Sequence, residues 1–356
     1  MNERNKVGII GATSATARQL MKILWRHPRV DPVLFAAESA QGKRLGDIGV
    51  LPEGVFEPLV STVVAPVFAT ETLERCRSLD LLFLCLAHGI SMKFMAALAG
   101  HGGGIPPPRV IDLSGDFRLP DPQEYLQAYG EPHAAPDLLA GFVYGQPELF
   151  RAAIAAARCI ANPGCYPTTV LLGLAPVAGE VTDIIVDAKS GYSGGGNKLI
   201  ARFERPDGTV DTDCYAYQAG GVHRHIPEMC RHLARVAGKP VSLVFTPHVV
   251  PQYRGMLSSI YARFADSVDA DRLRERYTAF YRDAPFVRVL PAGELPSTKA
   301  VCGTNRCDIG IVVQRLDPRM VTVFAAIDNL VKGAVGTAVQ NMNIMFGMAD
   351  DVGIVA

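Results

Sequence analysis

The cysteine in the segment 161–170, ANPGCYPTTV, carries the strongest chemical signal in the sequence. A thiolate attacks an acyl carbon well, but a thiol with a pKa near about 8.5 is mostly protonated at neutral pH, so its surroundings must favour the anion. Pro167 is typical of a first helical position, which predicts a helix whose positive end and N–H groups face the sulfur of Cys165. The same N–H groups can hold a developing oxyanion. We therefore predict a nucleophile at Cys165, the alternative being a buried cysteine that only packs.

The segment 220–228, GGVHRHIPE, supplies two histidines directly before a predicted helix. A nucleophile needs a group that moves protons, and histidine is the side chain used most often. Either His223 or His225 can serve, with Arg224 between them. A structural role for the rings is the alternative. A third histidine, His88, follows the apolar run LLFLCLA, at a place where parallel sheets bind cofactors.

A strand-turn-helix pattern near the N-terminus, KVGIIGATSATARQLMKIL, indicates a loop that binds a dinucleotide phosphate. Glycine lets the backbone approach a pyrophosphate, which then lies at the N-terminus of the helix. The pattern is incomplete, because Ser14 stands where a third glycine is expected, and an ordinary turn is the alternative. The residues that we assign to the pyrophosphate are Gly8, Gly11, Thr13, Ser14, Ala15 and Thr16.

Residues after the second predicted strand bear on the choice between NAD and NADP. An acidic residue about 20 positions along the chain usually binds the ribose hydroxyls of NAD, and Glu38 is in that place. Lys43 and Arg44 follow and can instead hold the 2′-phosphate of NADP. These residues favour different cofactors.

Two patterns describe the elements that must position these residues. Up to about residue 160, short apolar runs alternate with helical segments, which predicts an α/β fold with a doubly wound parallel sheet of the Rossmann type. Beyond Cys165, six strand-like runs and two helices predict an α+β domain with a large mixed sheet. The C-terminal run VKGAVGTAVQNMNIMFGM predicts a long helix, and the loop GHGGGIPPPRV is predicted to lie at the surface.

Composition excludes several classes of function. The 356 residues are enough for two domains, and with zero net charge and no long run of one sign no nucleic-acid partner is expected. No apolar run reaches the roughly 18–20 residues that span a bilayer, and the N-terminus is unlike a signal peptide. We expect a cytoplasmic enzyme with a small-molecule substrate, no membrane partner and reduced cysteines. A metal at Cys302 and Cys307 is disfavoured, because no second pair of ligands stands nearby.

Eight short motifs together resemble the N-acetyl-γ-glutamyl-phosphate reductases of arginine biosynthesis, in order and over about residues 6–348. Because the resemblance depends on no single motif, it is highly specific. The motifs are GAT at 11–13, LAHG at 86–89, IDLSGDFR at 111–118, ANPGCYPT at 161–168, DAKSG at 187–191, HRH at 223–225, FTPH at 245–248 and AIDNLVKGA at 326–334.

The resemblance implies both a mechanism and a domain plan. Cys165 attacks the acyl phosphate to form a thioester, and NADPH supplies the hydride that yields N-acetylglutamate 5-semialdehyde. His225 is favoured over His223 as the acid/base, because the Ile-Pro-Glu that follows it resembles the segment after the catalytic histidine of aspartate-semialdehyde dehydrogenases. The domains implied are an NADP-binding domain at 1–161 and 329–356, and a catalytic and oligomerisation domain at 162–328.

The resemblance also assigns residues to the two ligands. The substrate residues are Arg118, Asn162, Ser114, Lys198 and Arg224. The cofactor residues beyond the phosphate loop are Glu38, Ser39, Lys43, Arg44, His88, Gly89, Ser190, Gly191 and Asn329. Where the family often carries Ser-Arg, this chain has Glu38-Ser39, so a weaker preference for NADPH over NADH is predicted.

Two other functions compete with this interpretation. One is the same chemistry on a carrier-protein-linked aminoadipyl or glutamyl phosphate, which would require a basic surface for the acidic carrier. The sequence has no strong cluster of lysine and arginine, which favours the free N-acetyl substrate. The other is a catalytically silent dinucleotide-binding regulator, which should have lost Cys165 or the histidines. A homodimer or homotetramer is expected from the resemblance alone.

Overall fold

The computed structural model describes residues 4–55, 57, 59–101 and 108–355. The chain divides into two compact units: unit 1 comprises 1–163 and 335–354, and unit 2 comprises 164–334 with the last two residues. Most of the predicted surface loop GHGGGIPPPRV, residues 102–107, lies outside the described residues.

Unit 1 is built on a parallel sheet, as the alternating pattern predicts. Over the described residues the sheet has six strands in the order β2-β1-β3-β4-β6-β5, and every neighbouring pair is parallel. The strands are β1 Asn5–Ile10, β2 Val30–Ala36, β3 Leu81–Leu84, β4 Arg109–Asp112, β5 Phe142–Tyr144 and β6 Cys159–Ala161. β3 is buried along its whole length, which is typical of a strand covered on both faces.

Helices connect these strands. They are α1 Ala15–Leu24, α2 Thr70–Arg77, α3 Ser91–Gly100, α4 Pro122–Tyr129 and α5 Pro147–Ala156. The pattern at the N-terminus predicts α1, and the run HGISMKFMAALAG after LLFLCLA predicts α3. The sequence does not predict the other three helices, nor β5 and β6. Each of these two strands has only three residues, which is too short to show a period.

Unit 2 is built on a mixed sheet, and with it the predicted fold class is confirmed. Its strands in the described chain run in the order β11-β12-β13-β10-β7-β9-β8. Pairs β7/β9 and β11/β12 are parallel and the others antiparallel. The strands are β7 Val181–Gly191, β8 Tyr215–Ala216, β9 Val244–Val250, β10 Met256–Phe264, β11 Val287–Val289, β12 Cys307–Val313 and β13 Met320–Ile327. The two-residue β8 is the strand that the sequence does not predict.

The helices of unit 2 include one that is apolar on all sides. They are α6 Cys165–Leu174, α7 Gly196–Phe203, α8 His225–Ala237, α9 Ala270–Phe280 and α10 Thr298–Val301. In α6 every residue after Cys165 is buried, and the helix packs on β10, β13 and α8. Because a helix that is apolar all round has no face for solvent, this burial fixes the position of its first residue.

The chain then returns to unit 1 through a short π-helical turn, Val331–Val335, and the helix α11, Gly336–Met345. All ten residues of α11 are buried, and the helix packs on α1, α5 and β4. The predicted long C-terminal helix is therefore present, with a π turn as its first part.

Candidate active site

Cys165 is the first residue of α6, and Gly164 is its N-cap. The first helical bond joins the N–H of Thr168 to the carbonyl of Gly164, at 2.9 Å. Pro167 is therefore the third helical residue, whereas the sequence analysis predicted it to be the first. The positive end of the helix dipole and the first-turn N–H groups, which lack intrahelical acceptors, lie at this end of α6. Cys165 itself is half-buried.

A buried carboxylate ties the beginning of α6 to α8. Oε1 of Glu228 accepts the N–H of Gly164 at 2.9 Å, and Glu228 has no exposed surface. Glu228 lies in the first turn of α8, the helix that begins at His225. The helix that carries Cys165 and the helix that begins with His225 are thereby linked by a charge-assisted hydrogen bond. Sequence reasoning assigned no role to Glu228. The signal that could have identified it is its position, because it is an acidic residue in the first turn of the helix that begins with a candidate base.

His223 and His225 have different surroundings. The N–H of His225 donates to Nδ1 of His223 at 3.1 Å, so the proton of a neutral His223 ring is on Nε2. The His223 ring is packed edge-on against Tyr166, Tyr217 and Phe245, with centroids 5.7, 5.6 and 5.1 Å away. Burial, with a smaller contribution from the charge of Arg224, lowers the pKa of His223 to about 4. His223 is thus neutral at neutral pH and enclosed by aromatic rings, which favours His225 as the acid/base.

Two tyrosines near Cys165 were missed by the sequence reasoning. Tyr217 donates its hydroxyl to that of Tyr166 at 3.2 Å, and Tyr166 donates to the carbonyl of His248 at 3.3 Å. Burial raises the pKa of both hydroxyls, that of Tyr217 to about 12. Both groups therefore stay protonated at neutral pH, and the pair fixes the residue that follows Cys165.

In unit 1, the turn between β1 and α1 has the geometry of a phosphate-binding loop. Gly11 has φ of 89°, and a Cβ there would lie 2.4 Å from the carbonyl oxygen of Cys85, so only glycine fits. Ser14 caps α1 by accepting the N–H of Ala17 at 3.0 Å, which explains a serine where glycine was expected. The turn and the helix N-terminus that begins at Ala15 fit a pyrophosphate. Gly8, in contrast, lies in the middle of β1, where a Cβ would meet leucine side chains; its role is packing.

The end of β2 presents both kinds of cofactor determinant. Glu38 is exposed, but its Oε1 accepts the N–H of Val67 at 2.8 Å, which fixes the carboxylate. The hydroxyls of Ser39 and Thr13 lie 3.0 Å apart, so the second strand end and the phosphate loop are joined. Lys43 and Arg44 are exposed.

The loop after β3 holds His88 against a buried carboxylate. Nδ1 of His88 lies 2.5 Å from Oδ1 of Asp116, and the imidazole stacks on Tyr129 at 4.1 Å. Asp116 also accepts the N–H groups of Gly89 and Met92, at 2.9 and 3.0 Å, at the beginning of α3. Burial raises the pKa of Asp116, but hydrogen bonds from His88, Gly89 and Met92 outweigh it and hold the pKa below its usual value.

Arg118 is buried, and its guanidinium donates to two backbone carbonyls. Its Nε donates to the carbonyl of Asn162 at 2.9 Å, and Nη2 to that of Leu113 at 3.3 Å. Asn162 also donates its N–H to the carbonyl of Asp112 at 2.8 Å, while its Oδ1 accepts from Asn341 at 3.2 Å. Arg118 thus holds the backbone three residues before Cys165.

Other residues predicted to bind ligands make internal contacts. Ser114 donates its hydroxyl to Asp112 at 2.7 Å and accepts the N–H of Asp116 at 3.1 Å, so it organises its own loop. Burial, followed by the charge of Asp116, raises the pKa of Asp112 to about 6.

In unit 2, Asn329 accepts the N–H of Gly255 at 2.7 Å and donates to Ser193 at 3.0 Å, which makes it a loop anchor. Ser190 is buried and donates to the carbonyl of Gly191 at 3.1 Å. Lys198 and Arg224 are exposed, on α7 and at the N-cap of α8.

Neither a metal site nor a membrane span is found within the described residues. No group of three or more His, Cys, Asp or Glu side chains there is suited to a metal ion. Cys302 donates its thiol to the carbonyl of Arg254, at 3.7 Å, and Cys307 is buried in β12. No helix in that part of the chain is long and apolar enough to cross a membrane.

The two units match two family models. Residues 6–157 match the semialdehyde dehydrogenase, NAD binding domain, and residues 165–329 match the semialdehyde dehydrogenase, dimerisation domain. Aspartate semialdehyde dehydrogenase II from Vibrio cholerae has the same fold, with a TM-score of 0.72 at 18% identity over 97% of this chain and 99% of that one. The enzyme from Candida albicans, solved with NADP, has a TM-score of 0.68 at 14% identity over 96% and 98%. Fold and site thus define a semialdehyde dehydrogenase.

Curated relatives narrow the class. N-acetyl-gamma-glutamyl-phosphate reductase from Pelotomaculum thermopropionicum is 43% identical over 98% of this chain and 97% of its own length. The protein of the same name from Geobacter sp. strain M21 is 45% identical over the same shares. The chain belongs to the N-acetyl-γ-glutamyl-phosphate reductase family.

Proposed function

We propose that this enzyme reduces N-acetyl-γ-glutamyl phosphate to N-acetyl-L-glutamate 5-semialdehyde with NADPH, a step of arginine biosynthesis. The observation that carries the proposal is the arrangement of Cys165 at the N-terminus of a buried helix whose cap is bound by Glu228. That carboxylate belongs to the helix that begins with His225. A nucleophile beside helix N–H groups, with an imidazole on the adjoining helix, suits transfer of an acyl group.

The chain's own residues account for the covalent steps. The thiolate of Cys165 attacks the acyl carbon, the C–O bond to phosphate breaks, and a thioester forms on the sulfur. First-turn N–H groups of α6 stabilise the oxyanion of the tetrahedral intermediate. Hydride addition leaves an oxyanion on the former thioester carbon, and His225 donates a proton to this oxygen and takes it back. As the carbonyl re-forms, the C–S bond breaks, which releases the aldehyde and restores the thiolate.

NADPH, when bound, supplies the hydride that reduces the thioester. Its pyrophosphate fits the turn at Gly11 and the N-terminus of α1, where the close approach to Cys85 leaves no room for a side chain. We assign the adenosine ribose to Glu38 and Ser39, with Lys43 and Arg44 as the cations that attract a 2′-phosphate. One acidic and two basic side chains in the segment after β2 support a modest preference for NADPH over NADH.

The enzyme is proposed to be a homo-oligomer that associates through the sheet of unit 2. Val244, Ile185 and Tyr261 are cross-strand neighbours on β9, β7 and β10, and their side chains are 59%, 48% and 38% exposed. A row of large apolar side chains across three strands favours burial against another surface. A second copy of the chain is the partner that the matching dimerisation-domain model supports.

The reverse reaction tests the proposal directly. The enzyme should reduce NADP⁺ when given N-acetylglutamate 5-semialdehyde and inorganic phosphate, and should be much slower with aspartate semialdehyde. Cys165→Ser should bind NADPH but lose nearly all turnover, because a serine hydroxyl is far less ionised than a thiol at neutral pH. Equal rates with both aldehydes would reject the substrate, and an active Cys165→Ser variant would reject the covalent mechanism.

A further inference from the structure

The backbone of Gly333, in the π-helical turn 331–335, lies directly against the nucleophile. A Cβ at Gly333 would be 2.7 Å from the Cβ of Cys165 and 3.2 Å from Cδ1 of Ile327. Non-bonded carbon atoms pack at about 3.5–4.0 Å, so a methyl group here would displace Cys165 or the turn by roughly 0.8 Å or more. Only glycine allows this contact without displacement.

The turn is held in place by one buried carboxylate. Asp328 is fully buried, and its carbonyl accepts the N–H of Gly333 at 2.9 Å. Its Oδ1 accepts the N–H of Leu330 at 2.9 Å. Its Oδ2 accepts the N–H of Gly303 at 2.7 Å and pairs with Nε of Arg254 at 2.9 Å. The carbonyl of Asp328 thus holds Gly333 directly, while the contacts of its carboxylate with Leu330, Gly303 and Arg254 fix Asp328 itself, which restricts movement of the turn away from Cys165.

Lys332 adds a second contact between the turn and the rest of unit 2. It is a fully buried lysine, with Nζ 5.6 Å from the centroid of the Phe286 ring. A cation over an aromatic face is stabilised, more strongly when both are withdrawn from water. π-helical turns are rare and frequently occur at functional sites, and this one places Gly333 on Cys165.

We infer that Gly333 is a positioning residue for Cys165. The turn 331–335, anchored by Asp328 and Arg254 and called the wall below, packs against Cys165 and holds the nucleophile in position for attack. The inference rests on the proposed role of Cys165. The wall limits the positions open to the Cβ of Cys165, while the bond from Gly164 to Glu228 fixes the backbone on the other side of the same residue. A displacement near 1 Å at a reacting group can cost about 100-fold in rate.

Gly333→Ala tests the inference. Its kcat should fall by about 100-fold, its KM for NADPH should stay within about twofold of the wild type, and alkylation of Cys165 by iodoacetamide should slow by at least threefold. Gly310→Ala is the matched control. Gly310 lies in β12 of the same unit, and a Cβ there would be 2.8 Å from Cδ of Pro296. That variant should lose a similar amount of stability and keep its kcat.

A second variant covers the case in which Gly333→Ala does not fold. Arg254→Met removes the ion pair that anchors Asp328 without adding bulk beside Cys165, and should lower kcat by about tenfold with an unchanged KM for NADPH. Provided that Cys165→Ser is inactive, the inference is overturned if the folded Gly333→Ala variant keeps its kcat. Where Gly333→Ala does not fold, the inference is overturned if Arg254→Met keeps its kcat. An active Cys165→Ser variant would instead overturn the proposed function.

Discussion

Removing the carboxylate of Glu228 should impair catalysis far more than its effect on stability would predict. The side chain is fully buried, and its Oε1 accepts the N–H of Gly164 at 2.9 Å. A hydrogen bond to a charged group contributes about 1.5–3 kcal/mol. If this energy holds Cys165 in its productive position, its loss lowers kcat/KM by roughly 10- to 150-fold, since about 1.4 kcal/mol is tenfold.

Two substitutions separate the bond from the charge. Glu228→Ala removes both and should show the full loss of kcat/KM, whereas Glu228→Gln keeps an oxygen that can accept from Gly164 and should lose tenfold or less. The assay is NADP⁺ reduction with N-acetylglutamate 5-semialdehyde and phosphate, at a temperature well below both unfolding transitions. Cofactor affinity, measured by fluorescence of bound NADPH, should not change.

Met229→Ala provides the control for stability. Met229 is the next residue of α8 and is also fully buried, so its truncation should cost about 2–5 kcal/mol of unfolding free energy through the cavity that it leaves. It removes no bond to Gly164, and should keep most of its kcat/KM while folded. If the two alanine variants lose activity in proportion to stability, the bond from Glu228 to Gly164 has no special part in catalysis, and the reasoning is refuted.

Three further predictions concern residues outside this link. Arg118→Lys should lower kcat/KM by at least about tenfold and also destabilise unit 1, because one ammonium cannot replace a planar guanidinium that donates to two carbonyls. Arg109→Lys is the control, and equal activity of the two variants would refute a role of Arg118 at the site. Glu38→Gln keeps the acceptor for the N–H of Val67 but removes the negative charge. It should raise the NADPH/NADH ratio of kcat/KM by about fivefold, because two unit charges such as this carboxylate and a 2′-phosphate repel each other by roughly 1 kcal/mol at 4 Å in water. An unchanged ratio would place Glu38 outside the ribose pocket. Burial lowers the pKa of His223 to about 4 in the folded state, whereas the unfolded chain takes up a proton below about pH 6.5. As the pH is lowered between these values, the free energy of unfolding should decrease by up to about 1.4 kcal/mol per pH unit. In urea unfolding from pH 7 to pH 4.5, His223→Asn should show a weaker dependence on pH than the wild type; an equal dependence would show that the folded ring is charged.

The sequence predicts the chemistry of this protein better than the contacts that support it. Cys165 was recognisable because a cysteine between a Pro-Gly turn and an apolar run has few other uses, and the strands of unit 2 were predicted from long apolar runs. Glu228 was not assigned, because its partner is 64 positions away in the sequence and no local pattern reports such a pair. Gly333 was likewise missed, although the motif that contains it was noted.

Motifs also do not separate residues that touch a ligand from those that shape the loop. Ser114 and Asn329 lie in motifs that the resemblance assigned to ligands, yet Ser114 hydrogen-bonds within its own loop and Asn329 to two other loops of unit 2. Gly8 was placed in the phosphate loop on the strength of its type, and packing against leucine side chains accounts for it. In each case the deciding fact is the direction of a side chain or the space around a Cβ, which residue order does not carry.

The late position of α11 in the chain has a consequence for biosynthesis. Unit 1 needs α11, whose ten residues are all buried, but residues 164–334 are synthesised before it. At roughly 5–20 residues per second, translation delays the helix by on the order of ten to thirty seconds. Throughout that interval the nascent chain exposes the surfaces of α1, α5 and β4 on which α11 packs. Unit 1 therefore cannot finish folding when its sheet emerges from the ribosome, and its aggregation during translation depends on what shields those surfaces.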